Sequence, residues 1–420
     1  MSVTDADTDN TEAAPLGCGP VFPEHNYQSR SLRKQVFEHV RAYGNAARID
    51  TARALSISAG SVTGIAAELI ADGFLREVED VSRREMSRGR PPVALEVVAD
   101  SFYVIGINLS DKTHSAVLTD AIGTVIAESK CAADKQRGSA AKIVADVAPL
   151  VHDLLATSGM TKDQIAVMGV AISGAVDHTT GFVSWSPQLA EINVDLGKAF
   201  AEVVDCPVFV DNDANIITLA ELWFGEGRAK SNFAVVTVEH GVGMGLVLNN
   251  RLFRGARGMG MELGHTKVQL DGALCRCGQR GCLEAYLADY ALMREAATAL
   301  GLTVNQTSKV SLEVLFSEAK QGNTAAKAIF DRAAKYLALG LANIVQLFDP
   351  AVIILSGERM RYDYLYADDM LAQVHRLTLN PGSEPCEIAT HAWGDLIWAR
   401  GASALALSAA TDTLVGSPRQ

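Results

Sequence analysis

No apolar run in this 420-residue chain reaches the roughly 18 residues that a membrane-spanning helix needs, so no membrane partner is expected. The opening residues, MSVTDADTDNTEAAP, hold no basic stretch and no apolar centre. A secretory leader is therefore not expected, and a cytoplasmic protein is. Cysteine is scarce: seven in the whole chain are too few for a disulfide scaffold. Charged residues make up 20% against 48% hydrophobic, which excludes wholesale disorder. The length leaves room for about three folding units, each able to bury a core.

Acidic residues outnumber basic ones, giving a net charge of −12, which at first argues against nucleic acid. The distribution changes that reading. Residues 1–29 hold Asp5, Asp7, Asp9, Glu12 and Glu24 and no Lys or Arg, whereas residues 30–92 hold eleven Arg or Lys against eight Asp or Glu. A weakly basic segment thus sits between an acidic tail, 1–29, expected to be disordered, and an acidic body. That is the pattern of a polyanion-binding module, although so small an excess argues little by itself.

The segment 30–98 reads as a winged helix-turn-helix. Leu32, Val36, Phe37 and Val40 recur at helical spacing up to Gly44. A short helix is expected over Ile49–Leu55, and a third begins after Ser58, a good N-cap. Val62, Ile65, Ala66 and Leu69 share one face of that third helix. Ser58, Ala59, Ser61 and Thr63 lie at its outward tip, where small polar groups allow close approach to a major groove. A structural helical cap would use the same pattern. Strands from Leu75 and over Ala94–Val98 flank a polar loop with Arg88-Gly89-Arg90-Pro91-Pro92. Arg88 and Arg90 suit a narrow minor groove; a flexible basic linker would have the same composition.

After Asp100, strands alternate with helices, which predicts an α/β body over 99–420. Two lobes are expected, 99–215 plus the C-terminal helix and about 216–390, with a cleft between them. Inside the body, His265 is followed by Cys275, Cys277 and Cys282. One imidazole and three thiolates make a closed tetrahedral zinc set, so one structural Zn2+ per chain is expected. Gly278 and Gly281 permit the tight turn between Cys277 and Cys282. Asp213 precedes a helical pattern and follows a strand; there it is either an N-cap or a carboxylate kept ionised by the helix N-terminus. Asn212 offers both a donor and an acceptor, as a sugar diol requires.

The run from Glu262 to Glu284, with His265 and Cys-x-Cys-Gly-x-x-Gly-Cys-x-Glu, resembles the signature of the ROK family of repressors, open reading frames and sugar kinases. The resemblance extends over about residues 30–410, and Arg90-Pro91-Pro92 after a winged helix is similar to the repressor branch. It implies an actin-like, two-lobed fold with a sugar in the cleft. Asn212-Asp213-Ala214-Asn215 matches the family's active-site turn, where kinases use the Asp as general base. Residues matching Glu262, His265 and Glu284 bond sugar hydroxyls in the family; support of the metal loop is the other reading for the two glutamates. Gly174, within Ser173–Asp177, and Asn193 match further sugar-side loops. The pattern breaks on the phosphate side. Family kinases carry Asp-x-Gly-Gly-Thr, and here Asn108, Ser110 and Asp111 replace the Asp and both glycines. Side chains there block backbone approach to phosphates. The resemblance therefore implies a DNA-binding repressor of carbohydrate metabolism, not an enzyme, with Asp213 a vestigial base. Its partners are an operator in double-stranded DNA and a sugar or sugar-phosphate effector, and it assembles as a homodimer or homotetramer. An ATP-dependent sugar kinase with an attached DNA-binding domain is the alternative.

Overall fold

A computed structural model describes residues 16–22, 31–79, 93–134, 136–256, 258, 260–300, 311–357, 368–379, 382, 384–391, 394 and 396–416. Its N-terminal part holds helices α1 (Leu32–Tyr43), α2 (Arg48–Ala54) and α3 (Ala59–Ala71) and strands β1 (Asn45–Ala47), β2 (Leu75–Glu79) and β3 (Val93–Val97). Ser31 caps α1, and Gly44 ends it at φ +81°. The Ser58 hydroxyl accepts from Ser61 N at 3.0 Å and caps α3. Val62, Ala66 and Leu69 bury one face of α3. Strand β3 pairs antiparallel with both β2 and β1. Together with the helices this arrangement is a winged helix-turn-helix. Strand β1 escaped the sequence reading because three residues after a helix-ending glycine show no alternation.

Residues 16–22 do not behave as the disordered tail expected of 1–29. Cys18 N donates to Arg41 O, Gly19 N to Trp223 O and Val21 N to Arg228 O. Cys18 and Phe22 are buried. Two buried apolar side chains and three backbone bonds hold this strap between α1 and the body.

The body repeats one topology. β4 (Tyr103–Leu109), β5 (Thr113–Asp120) and β6 (Val125–Ala132) form an antiparallel meander, and β7 (Ile165–Ile172) and β11 (Val208–Asn212) add parallel to it, in the order β11-β7-β4-β5-β6. Likewise β12 (Phe233–Val238), β13 (Val242–Leu248) and β14 (Arg251–Phe253) form a meander. Parallel strands β15 (Val352–Ser356) and β16 (Glu387–His391) extend it, in the order β14-β13-β12-β15-β16. A small sheet of β8 (Ala175–Asp177), β9 (Phe182–Trp185) and β10 (Val194–Asp195) adjoins the first lobe. Outer helices α4 (Ala140–Ser158) and α5 (Leu196–Val204) share an apolar core with the first sheet. On the second lobe, α7 (Glu284–Leu287), α8 (Asp289–Ala299), α9 (Leu312–Lys320), α10 (Thr324–Phe348) and α11 (Asp368–Leu377) do the same.

Between the sheets lie α6 (Asp213–Phe224) and α12 (Ile397–Ala410). Close contact there depends on glycine. A Cβ on Gly169 of β7 would stand 2.0 Å from Ala402 O on α12, and one on Gly245 of β13 would stand 2.0 Å from the Thr218 hydroxyl on α6. The lobe boundary expected at 215/216 therefore falls inside one continuous helix. No single helix among the described residues is long and apolar enough to cross a membrane.

α1 docks on this middle layer through polar groups. Arg33 Nε donates to Val415 O at 2.9 Å, and Lys34 pairs with Asp412. Arg41 is 1% exposed, donates to the Thr411 hydroxyl at 2.9 Å and places its guanidinium 4.5 Å from the Trp223 ring centroid.

Candidate functional site

Parallel strands β7 and β11 end side by side, with Ile172 opposite Asn212. Ser173 and Gly174 leave one, and Asp213 opens α6 from the other. Asn212 caps α6, its side-chain oxygen accepting from Ala214 N at 2.9 Å and its amide donating to Gly174 O at 2.6 Å. Gly174 sits at φ +129°, and a Cβ there would lie 2.2 Å from Trp185 O, so only glycine fits. Asp213 accepts from the Ser173 hydroxyl and from Ala214 N. Burial raises the Asp213 pKa, with the Ser173 and Ala214 bonds opposing.

Behind Asp211, the residue before this cap, a further anchor operates. Asp211 is 1% exposed and accepts from Arg254 Nε at 2.7 Å, Asn215 Nδ2 at 2.8 Å and its neighbour's backbone N–H at 2.8 Å. Arg254 follows β14, so this ion pair ties the second lobe to the floor of the cleft. Nothing local in the sequence links residues 43 positions apart.

From the second lobe come Glu262, His265 and Glu284. Burial raises the Glu262 pKa; the His265 charge opposes, while Asp213 and Glu284 reinforce. Glu262 thus lies within electrostatic reach of Asp213, His265 and Glu284. His265 Nε2 lies 4.0 Å from Glu262 Oε2, and its Nδ1 lies 3.8 Å from Cys275 Sγ. The two ring nitrogens face different tasks: one the thiols, the other the cleft. Glu284 Oε1 stands 3.6 Å from Cys275 Sγ and accepts from the Tyr290 hydroxyl at 3.3 Å. Its other oxygen accepts from Val242 N at 3.4 Å.

The ligand atoms of His265, Cys275, Cys277 and Cys282 all lie within 4.8 Å of one another, a donor set that could hold a metal. Cys277 and Cys282 sulfurs are 3.7 Å apart, and Lys267 Nζ lies 2.9 Å from Cys282 Sγ. Gly281, at φ +77°, turns the loop where a Cβ would meet Gln269 O at 1.8 Å. Tyr290 and Lys267, which support this loop, escaped the sequence reading because neither belongs to the Cys/His spacing.

Asn193 belongs to the segment between β9 and β10. It is exposed in a turn at φ +59°, and its backbone N–H donates to Ser184 O. In the N-terminal unit Ser58, Ala59, Ser61 and Thr63 are exposed together at the start of α3. The Ser58 and Ser61 hydroxyls bond each other at 2.8 Å, and Thr63 donates to Ala59 O. Arg88 and Arg90 lie outside the described residues.

The family model described as ROK family matches residues 104–409. A xylose repressor of Caldicellulosiruptor bescii is 26% identical over 77% of this chain and 82% of its own length. The crystal structure of a ROK family transcriptional regulator, a homologue of the E. coli MLC protein, covers 91% of this chain and 96% of its own, with TM-score 0.77 and 24% identity. A ROK hexokinase from Thermus thermophilus covers 74% of this chain and all of its own, with TM-score 0.65 and 27% identity.

Proposed function

Because this chain belongs to the ROK family, we propose that it is a DNA-binding transcriptional regulator, a repressor of carbohydrate metabolism, whose kinase-like body senses a sugar or sugar phosphate. The observation that carries this reading is the joining of two features in one chain. An N-terminal unit with an exposed small-polar helix tip is docked on a body whose cleft gathers Asn212, Asp213, Glu262, His265 and Glu284. The similarity to a xylose repressor over 77% of this chain supports it. Residues 30–98 form the DNA-binding domain in this reading and 99–420 the sensor, in the cytoplasm. Ser58, Ala59, Ser61 and Thr63 approach the major groove, and Arg88 and Arg90 the minor groove. A homodimer or homotetramer sets two winged helices on a two-fold operator.

The cleft chemistry suits a polyol. Asn212 both donates and accepts, the carboxylates accept from hydroxyls, and His265 presents Nε2 to the same space. Gly174 and Asn193 line the sugar side in this reading. Zn2+ is the metal that three thiols and an imidazole select. It would keep the His265 ring in place and supply no chemistry, since four protein ligands leave no open position.

A route from sugar to DNA is built into α6. Asp213 opens this helix and Trp223 lies near its other end, about 15 Å away at 1.5 Å per residue. Trp223 carries the Arg41 guanidinium of α1. A sugar that favours one lobe arrangement would tilt α6 and carry the winged helix with it. Arg41→Ala is expected to leave sugar affinity within twofold of wild type and to reduce sugar-dependent operator release about tenfold. It should also cost about 2–4 kcal/mol of stability through loss of a buried, partnered side chain. Titrating sugar against operator occupancy measures both arms; an unchanged release curve would exclude this route.

A thermal-shift screen over sugars, amino sugars and their 6-phosphates tests the function, with xylose first because of the relative's name. A rise in melting temperature with one sugar, matched by a change in operator binding, is expected. A coupled assay for ADP release should stay at background with that sugar, since Asn108, Ser110 and Asp111 stand where kinases of this fold keep an Asp and two glycines. Sugar-dependent ADP release would favour the kinase alternative.

A further inference from the structure

One cluster in the cleft has no part in the sugar or metal chemistry. His240 lies in the turn between β12 and β13 of the second lobe. Its Nε2 is 3.3 Å from Asp111 Oδ2, in the turn between β4 and β5 of the first lobe, and its Nδ1 is 2.9 Å from Asp289 Oδ2 at the start of α8. The Asp111 contact therefore crosses from one lobe to the other. An imidazole flanked by a carboxylate at each nitrogen donates to both only when it carries both protons.

Rest on the sugar-sensor reading is needed for the consequence, though not for the contact itself: we propose that Asp111, His240 and Asp289 are positioning residues forming a clasp between the lobes, which holds the body near its closed form without a nucleotide. The carboxylate of Asp111 takes the place of backbone that could approach a phosphate. A polyphosphate entering this gap would meet two carboxylates and lose the cation already paired to them. The remaining closure is thereby left to the sugar with no nucleotide, and the lobes move as a two-state element biased by one ligand.

The electrostatics agree with the geometry. Hydrogen bonds to Asp111 and Asp289 raise the His240 pKa to about 9, against burial and the nearby Lys112 charge. The bond from His240 holds the Asp111 pKa below its ordinary value. Glu284 also faces this turn, with one oxygen 3.0 Å from where a Cβ of Gly241 would be. A histidine pKa raised by pairing means the clasp is complete at neutral pH and is lost as pH rises through about 9.

The test uses the full-length protein with Asp111→Asn and His240→Gln. Both residues occupy partly exposed turns, so native circular dichroism is expected for each variant. NMR of 13C-labelled histidine should show the His240 ring titrating near pH 9 in wild type and moving toward the ordinary histidine range in Asp111→Asn. Small-angle X-ray scattering without sugar should show a larger radius of gyration in both variants. Sugar affinity should fall about two- to fivefold, the scale of a partly exposed ion pair. A magnesium–AMP-PNP titration of wild type should show no binding. An ordinary His240 titration in wild type, or variants with the wild-type radius, would overturn the clasp, as would tight AMP-PNP binding. Expansion of the variants in a protein that binds none of the sugars would uphold the clasp and overturn the sugar reading.

Discussion

Replacing Asp213 by Asn is expected to produce a regulator that stays on its operator at sugar concentrations that release the wild type. The substitution keeps the shape of the side chain, so its oxygen can still accept from Ala214 N–H, 2.8 Å away in the wild type. It removes the negative charge that, in the proposed sensor, would accept a sugar hydroxyl beside Asn212. Operator affinity without sugar should remain within twofold, because α3 and the docking face of α1 lie at a distance from the cleft. Sugar affinity should fall at least tenfold, by loss of a charged hydrogen bond worth about 1.5–3 kcal/mol. Stability should move the other way. Burial raises the Asp213 pKa, so its ionised form costs stability in the folded protein. That cost sets in as pH rises past the ordinary aspartate range and is complete above the raised value. At neutral pH Asp213→Asn should therefore melt at or above the wild-type temperature, and the gain should vanish in acid. Melting curves at two pH values, with operator release measured by fluorescence anisotropy, check both parts. A variant that releases its operator at the wild-type sugar concentration would place the effector elsewhere.

Loss of the metal should have the second large effect. Cys277 is the exposed member of the four candidate ligands, so serine is tolerated there by packing and any consequence would come from coordination. Elemental analysis should find about one zinc per chain in wild type and close to none in Cys277→Ser. Metal binding to a site absent from the unfolded chain is folding free energy, and the melting temperature should drop by more than about 5 °C. Sugar affinity should fall about 10–100-fold, since His265 would no longer be held by Nδ1 with Nε2 toward the cleft. Exhaustive chelation of wild type should reproduce the variant, and zinc should restore only the former. Full sugar affinity in metal-free protein would separate the loop from the sensor.

How much of this was legible in the sequence depended on the range of the cause. Strands Ile165–Ile172 and Phe233–Val238 carry almost wholly apolar runs that mark buried strands. The Ser58 cap and the apolar face of α3 are written within one helix. The cluster of His265 with Cys275, Cys277 and Cys282 is equally local: two glycine turns bring three thiols together within eight positions. Period and spacing act through the nearest few residues, so they survive without knowledge of the rest.

Tertiary structure decided what depends on distant chain. The edge strands β14 and β16 are short and half-exposed, with little alternation to read. Residues 16–22 look like tail by composition and are ordered because Arg41 O, Trp223 O and Arg228 O happen to face them. The Asp211–Arg254 pair and the Asp111–His240 contact join residues of different lobes. Above all, the upward shift of the Asp213 pKa comes from burial, which its place at a helix start does not announce. A pattern in the sequence states which groups are available, but desolvation and charge pairing are properties of the space that the folded lobes enclose.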